Sequence, residues 1–377
     1  MQELAEKKCN VDLITSTSST FLTGESQVGC DVISPNFTYH QIAGLQYGTA
    51  NSFFRLLSWL EFEAKFLFLN KKRLRKPDIV IVSSLSILSI INGYIWSRVY
   101  KAKLVFEIRD IWPLTLTEEG GFSRKNPFIL LLAILERWGY SVSDLIVGTM
   151  PNLKEHVLEV SVGNEEKVVC IPFGYPDNQI NEHFRSDFSI ESGNSNFVLG
   201  YVGTVGSTNA LATLFFALNK INLVEANIEV HIVGDGPLLH HYKQKYQNVK
   251  NLYFMGQVDK RDVAKVISTF DALYFSTHKS KVWEFGQSLN KLVDYMLSGK
   301  PIIASYSGFQ SMINEAGCGW FLEAEDSNGL IEKIMEISKM ERKDLAGMGS
   351  QGRSWILNNR KYSVLANSYQ SYLCAID

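Results

Sequence analysis

The stretch FVLGYVGTVGS at residues 197–207 is the clearest fold signal in the chain. Its continuous apolar run at 198–202 predicts a buried strand, and the glycines after it predict a tight turn into a helix. Similar apolar runs predict strands at 11–15, 79–83, 104–108, 145–148, 168–171, 229–234, 252–255, 272–276 and 301–304. Helical patterns between them predict helices at 126–140, 211–221, 238–246, 261–269 and 292–298. Because such alternation is typical of parallel sheets, the sequence predicts a doubly wound α/β fold.

A polar stretch without clear periodicity, residues 179–195, precedes the strand at 198–202. We therefore expect two Rossmann-like domains, residues 1–184 and 185–357, and a C-terminal helix at 358–377 that crosses back to the first domain. The length of 377 residues agrees with two domains. Ligands of doubly wound sheets bind beyond the carboxyl ends of the strands, so we expect a central cleft between the domains.

The composition excludes several classes of protein. With 46% hydrophobic and 20% charged residues, the chain is typical of a folded protein rather than of a disordered or polytopic membrane protein. A net charge of −2 argues against a basic surface for nucleic acid. The 5 cysteines and 7 histidines lack metal-ligand spacing, which predicts no metal site and a reducing compartment. Residues 77–96 are nearly uncharged, but Asp78 and the β-branched run after it favour a strand and a packed helix over a membrane span.

Two glycine turns could bring backbone N–H groups close to a phosphate. The first contains Gly203, Thr204, Gly206 and Ser207, and the second begins at Gly234. Neither has the GxGxxG spacing of a dinucleotide site, so an ordinary tight turn remains an alternative for both.

The segment FGQSLNKLVDYMLSGKPIIAS at 285–305 is richest in candidate chemistry. Lys291 begins a predicted helix, where its charge could meet a diphosphate, and Asp294 could accept hydrogen bonds from ribose hydroxyls. The alternative is a solvated ion pair between the two, which are three residues apart.

Arg109 and Asp110 follow the predicted strand at 104–108. Polar groups at a strand end that faces a cleft are candidates for substrate contact. The alternative is an Arg–Asp pair that supports the loop.

The chain resembles family 4 of the retaining glycosyltransferases over nearly its whole length, from about residue 4 to 373. These enzymes have the GT-B fold of two facing Rossmann domains. The resemblance rests on FEIRDIWP at 106–113, SDLIVGTMPNLKEHV at 143–157, HIVGDGP at 231–237, FMGQV at 254–258 and the segment at 285–305. It is strongest to the bacterial O-antigen and capsule branch that includes L-fucosamine transferases of the WbuB type.

The resemblance implies a nucleotide-sugar donor as substrate, bound mainly by the C-terminal domain, with no cofactor and no divalent metal. By position, Val258 would meet the nucleobase and Asp294 the ribose. The acceptor would lie against the N-terminal domain, with Arg109 and Asp110 as catalytic candidates at the cleft. The predicted donor site comprises Gly203, Thr204, Gly206, Ser207, Asn209, Gly234, Val258, Gly286, Ser288, Leu289, Asn290, Lys291, Leu292 and Asp294.

Three departures from the family pattern matter. The family's two acidic residues, eight positions apart, map to Gly286 and Asp294, so the first carboxylate is absent. The basic pair that grips the diphosphate maps to Thr204 and Asn209, which are uncharged. The residues that could supply the missing charge, or form a solvated loop instead, are His278, Lys279 and Lys281.

The third departure concerns the N-terminal domain. Residues 2–8 look like the end of the family's first helix and 11–15 like its second strand, so the domain is expected to lack its first strand and glycine loop. Losing a central strand would expose sheet edges.

We therefore expect a transferase that moves a sugar, an N-acetylated deoxyhexose, from a UDP-sugar to a polyprenyl-diphosphate-linked saccharide in O-antigen or capsule biosynthesis. Alternatives are a UDP-sugar epimerase or hydrolase, and a non-catalytic, truncated partner of a polysaccharide assembly complex.

The expected location is cytoplasmic, peripheral at the inner face of the cytoplasmic membrane. Residues 56–76 interleave Leu, Trp and Phe and end in a basic run. Such a helix could lie on an anionic membrane surface. The alternative is a core helix whose basic end is solvated.

Overall fold

The computed structural model describes residues 1–18, 29–46, 53–69, 74–84, 86–178 and 196–376. Two compact units make up the chain: Met1–Ile171 with Leu365–Asp377, and Pro172–Val364. The division therefore falls after residue 171, whereas the sequence placed it near 185. The polar stretch at 179–195, on which that expectation rested, lies outside the described residues.

The first unit begins with helix α1 (Gln2–Glu6) and contains two separate sheets. One has the order β1-β3-β2, with β1 parallel and β2 antiparallel to β3. The other is fully parallel in the order β4-β5-β6-β7. The strands are β1 (Val11–Ser16), β2 (Gly29–Ser34), β3 (Phe37–Ile42), β4 (Ile79–Ser83), β5 (Lys103–Ile108), β6 (Leu145–Gly148) and β7 (Val168–Cys170).

Several helices of the first unit connect successive parallel strands, and such helices lie on the faces of the sheet. Its core includes Leu4 of α1, Val105 of β5 and Val147 of β6, packed against Tyr369 and Leu373 from the C-terminal end of the chain. The helices that follow α1 are α2 (Phe53–Leu67), α3 (Ser89–Tyr100), α4 (Leu114–Glu118), α5 (Pro127–Val142) and α6 (Leu153–Val160).

Strands β1 and β4 each have an open edge. The N–H of Val11 donates to Asn36 O at 2.8 Å. In a parallel ladder, the backbone N–H and C=O groups of the alternate residues Asp12, Ile14 and Ser16 therefore point away from β3. The N–H of Lys103 donates to Asp78 O at 2.9 Å, which likewise leaves Ile79, Ile81 and Ser83 facing away from β5. No strand of the described ranges is hydrogen-bonded to either edge.

The second unit is built on one parallel sheet with the order β10-β9-β8-β11-β12-β13. The order reverses between β8 and β11, as in a doubly wound sheet, and two hydrophobic clusters pack against it. The strands are β8 (Phe197–Val202), β9 (Ile228–Val233), β10 (Leu252–Gly256), β11 (Ala272–Ser276), β12 (Ile302–Ser305) and β13 (Gly319–Leu322). The helices are α7 (Ala212–Leu218), α8 (Leu239–Lys245), α9 (Val263–Ser268), α10 (Asn290–Leu297), α11 (Met312–Ala316), α12 (Ser327–Ile337) and α13 (Arg342–Asn359). The last helix, α14 (Tyr362–Cys374), begins in this unit and continues into the first.

The predicted α/β fold with two Rossmann-like domains is confirmed. Each predicted strand is present with ends shifted by at most one residue. The predictions missed β2 and β3, in which polar and apolar residues are mixed, and the four-residue strand β13 (GWFL). Residues 77–96 form β4 and most of α3, and no helix among the described residues is long and apolar enough to cross a membrane.

Candidate functional site

The two glycine turns of the second unit lie side by side at the carboxyl ends of β8 and β9. The N–H of Gly203 donates to Val233 O at 3.0 Å. At Gly234, φ is +135°, and a Cβ there would overlap the carbonyl of Gly203, so a side chain would push the two turns apart. The glycines therefore allow two loops to approach at the sheet edge where ligands of this fold bind.

Lys291, in the first turn of α10, reaches this edge. Its Nζ donates to Asn209 Oδ1 and lies 5.4 Å from the ring centre of Tyr201 and 5.9 Å from that of Phe275. Burial lowers the pKa of Lys291 to about 8. The lysine thus turns to an amide and two aromatic rings rather than to Asp294, and the predicted alternative of a solvated ion pair does not describe it.

Tyr295 fixes α10 to the end of β8. Its hydroxyl donates to Val202 O and accepts from Val202 N–H, both at 2.9 Å. Lys291 precedes Tyr295 by one helical turn and lies on the same helix face. This contact places the ammonium beside the first glycine turn, where an added Cβ on Gly203 would lie 3.6 Å from Nζ.

The loop after β8 orients the amide of Asn209. The Nδ2 of Asn209 donates to Thr204 O at 3.0 Å, and the Tyr201 hydroxyl donates to the same oxygen at 2.8 Å. The Ser276 hydroxyl donates to Asn209 O at 2.7 Å. Thr204 and Asn209 are the two uncharged residues at the family's basic positions. The structure places the cation of Lys291 directly beside them.

Of the three basic residues after β11, His278 and Lys279 are held by acids and by the backbone, and Lys281 Nζ lies 5.9 Å from the ring centre of Phe285. His278 Nδ1 lies 2.8 Å from Glu325 Oε1, and its Nε2 lies 2.7 Å from Ser207 O. Lys279 Nζ lies 3.3 Å from Glu323 Oε2. These carboxylates offset the charge that the sequence suggested for a ligand, so Lys291 is the better-placed cation.

The remaining predicted donor residues are spread along the neighbouring segments. Val258 follows β10, whose last residue accepts a hydrogen bond from Gly234 N–H at 2.8 Å. Ser288 Oγ accepts from Phe173 N–H at 2.8 Å. Leu292 is fully buried, so its side chain packs in the core and does not face a ligand. The others lie in the first turn (Gly206, Ser207), in the segment entering α10 (Gly286, Leu289) and on α10 itself (Asn290, Asp294).

Arg109 and Asp110 follow β5 in the first unit. Arg109 Nε bonds Glu107 Oε1 at 2.9 Å, so the ion pair that supports this strand end is Arg–Glu and not the suggested Arg–Asp. Tyr369 donates to the other Glu107 oxygen at 3.2 Å and holds that carboxylate in place. Asp110 is exposed as a residue, but neighbouring protein atoms desolvate its carboxyl and raise its pKa, against the nearby charges of Arg55 and Arg109.

Within the described ranges, no group of three or more His, Cys, Asp or Glu residues could hold a metal ion.

Two family models match the chain, one for each unit. The model of a glycosyl transferase 4-like domain matches residues 1–174, and the model of glycosyl transferases group 1 matches residues 196–339. Both models describe glycosyltransferase domains, and between them they cover most of the chain, so the chain belongs to the glycosyltransferases. No curated protein matches the sequence of this glycosyltransferase.

Solved structures share the fold of this glycosyltransferase. Sucrose-phosphate synthase from Thermosynechococcus elongatus is 16% identical with a TM-score of 0.70, over 99% of this chain and 91% of that one. HepE from Anabaena in complex with UDP and glucose is 17% identical with a TM-score of 0.61, over 89% and 86%. The lipopolysaccharide outer core galactosyltransferase WaaB is 15% identical with a TM-score of 0.56, over 89% and 84%. At these identities the likeness establishes the fold.

Sequence reasoning missed the residues that position Lys291 in this glycosyltransferase. Tyr201, Phe275 and Tyr295 are apolar-run or helix residues, and nothing in their spacing separates them from ordinary core aromatics. The one available signal was Tyr295, which follows Lys291 by four residues and therefore shares its helix face.

Proposed function

We propose that this glycosyltransferase moves an N-acetylated deoxyhexose from a UDP-sugar to a polyprenyl-diphosphate-linked saccharide, with retention and without a metal, in O-antigen or capsule biosynthesis. The observation that carries the proposal is the half-buried Lys291 beside Asn209 and two glycine turns. The resemblance to the O-antigen and capsule branch and the UDP bound by HepE support it.

Lys291 is proposed to meet the donor diphosphate. In a partly desolvated site, an ammonium group and oriented backbone N–H groups stabilise the charge that develops on a departing nucleoside diphosphate. The backbone of Gly203, Gly206 and Ser207 supplies such groups, since turns of this kind approach phosphates closely. Asp294 is proposed to hold the ribose hydroxyls and Val258 to contact the nucleobase.

Arg109 and Asp110 are proposed to act on the acceptor. Desolvation raises the pKa of Asp110, which makes its carboxylate a stronger base than that of an exposed aspartate and suits it to take a proton from an attacking hydroxyl. Arg109 is held by Glu107, and its guanidinium is proposed to donate hydrogen bonds to the acceptor.

A transfer assay tests this function. We expect product from UDP-N-acetyl-deoxyhexoses and a polyprenyl-diphosphate saccharide, and a loss of about tenfold or more with Lys291→Ala or Asp294→Ala. Lys279→Ala is the matched control, because that lysine is exposed and paired with Glu323. Full activity of Lys291→Ala would contradict the donor site.

Other outcomes identify the alternatives. Consumption of UDP-sugar without an acceptor indicates an epimerase or hydrolase. A folded protein that shows no UDP binding in calorimetry indicates a non-catalytic partner of an assembly complex.

The acceptor also sets the proposed location. A polyprenyl diphosphate is anchored in a bilayer, so we propose that the enzyme works at the inner face of the cytoplasmic membrane, with residues 56–76 among those that touch the lipid. Of that segment, the structure describes α2 up to Leu67 and residues 68, 69 and 74–76.

A further inference from the structure

Two helices of the first unit expose apolar side chains at helical spacing. On α3 the exposed positions recur every four residues, and Val99 is 57% exposed. On α5 they also recur three to four residues apart, and Ile134 is 65% exposed. The exposed apolar residues are Ile91, Ile95 and Val99 on α3, and Leu130, Leu131 and Ile134 on α5.

The opposite faces of both helices already fill the core. Ile90 and Trp96 of α3 are buried, and so are Ile129 and Leu132 of α5. Each helix is therefore apolar on its outer face as well as its inner one. A helix that is hydrophobic all round is typical of a core or of a membrane environment and not of a water-facing layer.

The two helices form one continuous face with α2. Tyr94 of α3 and Trp138 of α5 meet edge to face, with ring centres 5.1 Å apart. Phe66 of α2 and Trp96 of α3 lie 4.7 Å apart. Beside this contact α2 exposes Leu60 and Leu67, and Phe68 follows it. We call the outer surface of α2, α3 and α5 the three-helix face. Its exposed apolar side chains are clustered and not scattered singly, as they are at surfaces that bind a partner or a membrane.

The charges on this face are complementary to an anionic surface. Helix α3 contains no Asp or Glu, and the only acid of α5 is Glu136, which is buried against Tyr140 and His156. The exposed charged residues at the C-terminal ends of the two helices are basic: Arg98, Lys101 and Arg137. On α2, Glu61 is paired with Lys65 at 2.7 Å.

The basic run at the end of 56–76 contributes less than the sequence suggested. Arg75 lies outside α2, and its Nε is paired with Asp12 Oδ2 at 3.2 Å, so the charge of Arg75 is compensated locally. Lys71, Lys72 and Arg73 lie outside the described residues. The lipid-contacting surface is therefore better sought on α3 and α5.

We propose that the three-helix face lies on an anionic lipid bilayer, with the apolar stripes of α3 and α5 at the boundary between headgroups and acyl chains and the three basic residues among the headgroups. Amphipathic surfaces bind in this way by apolar burial together with attraction to anionic lipid. The proposal deepens the membrane location given above and rests on it for its purpose, since a bilayer-anchored acceptor must be reached at its surface.

Vesicle co-sedimentation of the full chain tests the proposal. We expect binding to vesicles of phosphatidylcholine with phosphatidylglycerol, weaker binding to phosphatidylcholine alone, and a loss of about tenfold or more on anionic vesicles for the double variant Ile95→Glu, Ile134→Glu. Phe216→Glu is the matched control, because Phe216 is an equally exposed apolar residue of the second unit. Arg137→Gln should weaken binding to the anionic vesicles alone.

Several results would overturn the proposal. The wild-type chain could fail to bind vesicles, or the double variant could bind as well as the wild type does. A dimer in sedimentation equilibrium that the double variant abolishes, without vesicle binding, would assign the face to a second copy of the chain. Calorimetry with UDP on the same variants keeps the two proposals apart, because the substitutions leave the second unit unchanged. Vesicle binding without transferase activity would contradict the function and leave the surface standing.

Discussion

Lys291 carries the charge of the proposed donor site, and its surroundings make that charge depend on pH near neutrality. The ammonium contacts one amide oxygen and the faces of Tyr201 and Phe275, which stabilise a cation less than water does. Its pKa therefore falls from the usual value of 10.5 to about 8. A diphosphate would supply the anion that the free site lacks.

The pH dependence of UDP binding follows from this pKa. Below pH 8 the lysine is protonated and attracts the diphosphate, whereas above it the unliganded protein loses the charge. We expect the affinity for UDP to fall about tenfold between pH 7.5 and 9.5, measured by calorimetry at constant ionic strength. Lys291→Arg keeps its charge at both pH values and serves as the control. An equal fall in that variant would refute the assignment to Lys291.

At the scale of the element, α10 depends on a single side chain for its position over the first glycine turn. The Tyr295 hydroxyl satisfies both the N–H and the C=O of Val202, where β8 ends. Because Tyr295 is buried, removal of its hydroxyl leaves these two backbone groups without that partner.

Tyr295→Phe should therefore loosen α10 and impair the donor site. We expect a loss of about 1–3 kcal/mol in the free energy of unfolding, measured with urea, and a weaker affinity for UDP. The variant Tyr274→Phe is the comparison: Tyr274 is equally buried on the adjacent strand β11, and within the described part of the chain its hydroxyl is not hydrogen-bonded to Val202. If both variants bind UDP as the wild type does, Tyr295 has no positioning role.

The elements show how far the sequence alone could lead. Strands such as β4 and β11 are continuous apolar runs, and their pattern alone predicts them. Strand β3, FTYHQI, mixes polar and apolar residues because it is only partly buried: Phe37, His40 and Ile42 are buried and the residues between them are half-buried. The motif at 285–305 marked Lys291, but its partner Asn209 is 82 residues away, and only the fold brings them together. Glu107 lies only two residues before Arg109, in the motif FEIRDIWP, but the sequence pattern suggested the neighbouring Asp110 as the partner instead.

At the scale of the whole molecule, the two units carry different parts of the proposed chemistry. Lys291, Asn209 and the glycine turns belong to Pro172–Val364, while Arg109 and Asp110 belong to the first unit. A ligand that binds only the native form of one unit stabilises that unit by mass action.

Amide hydrogen exchange with and without UDP tests this division. We expect slower exchange in 203–209 and in Asn290–Leu297 when UDP is bound, because both segments line the proposed donor site. Exchange in β5 of the first unit should stay unchanged. The same measurement on Lys291→Ala is the control and should show little protection. Protection confined to the first unit would contradict the proposed donor site, because the nucleotide would then bind outside the second unit.

Within the described residues, β1 and β4 each have an edge that is not paired with another strand, and such edges limit the concentration at which a protein stays free of self-association. An unpaired strand edge is a template for any extended chain, so two molecules can begin to join through it as their concentration rises. At β1, Asp12 is paired with Arg75, whose guanidinium also donates a hydrogen bond to the Thr38 hydroxyl. A strand from a second molecule would have to displace this ion pair before it could pair with β1. The ion pair between Asp12 and Arg75 therefore contributes to solubility as well as to local structure.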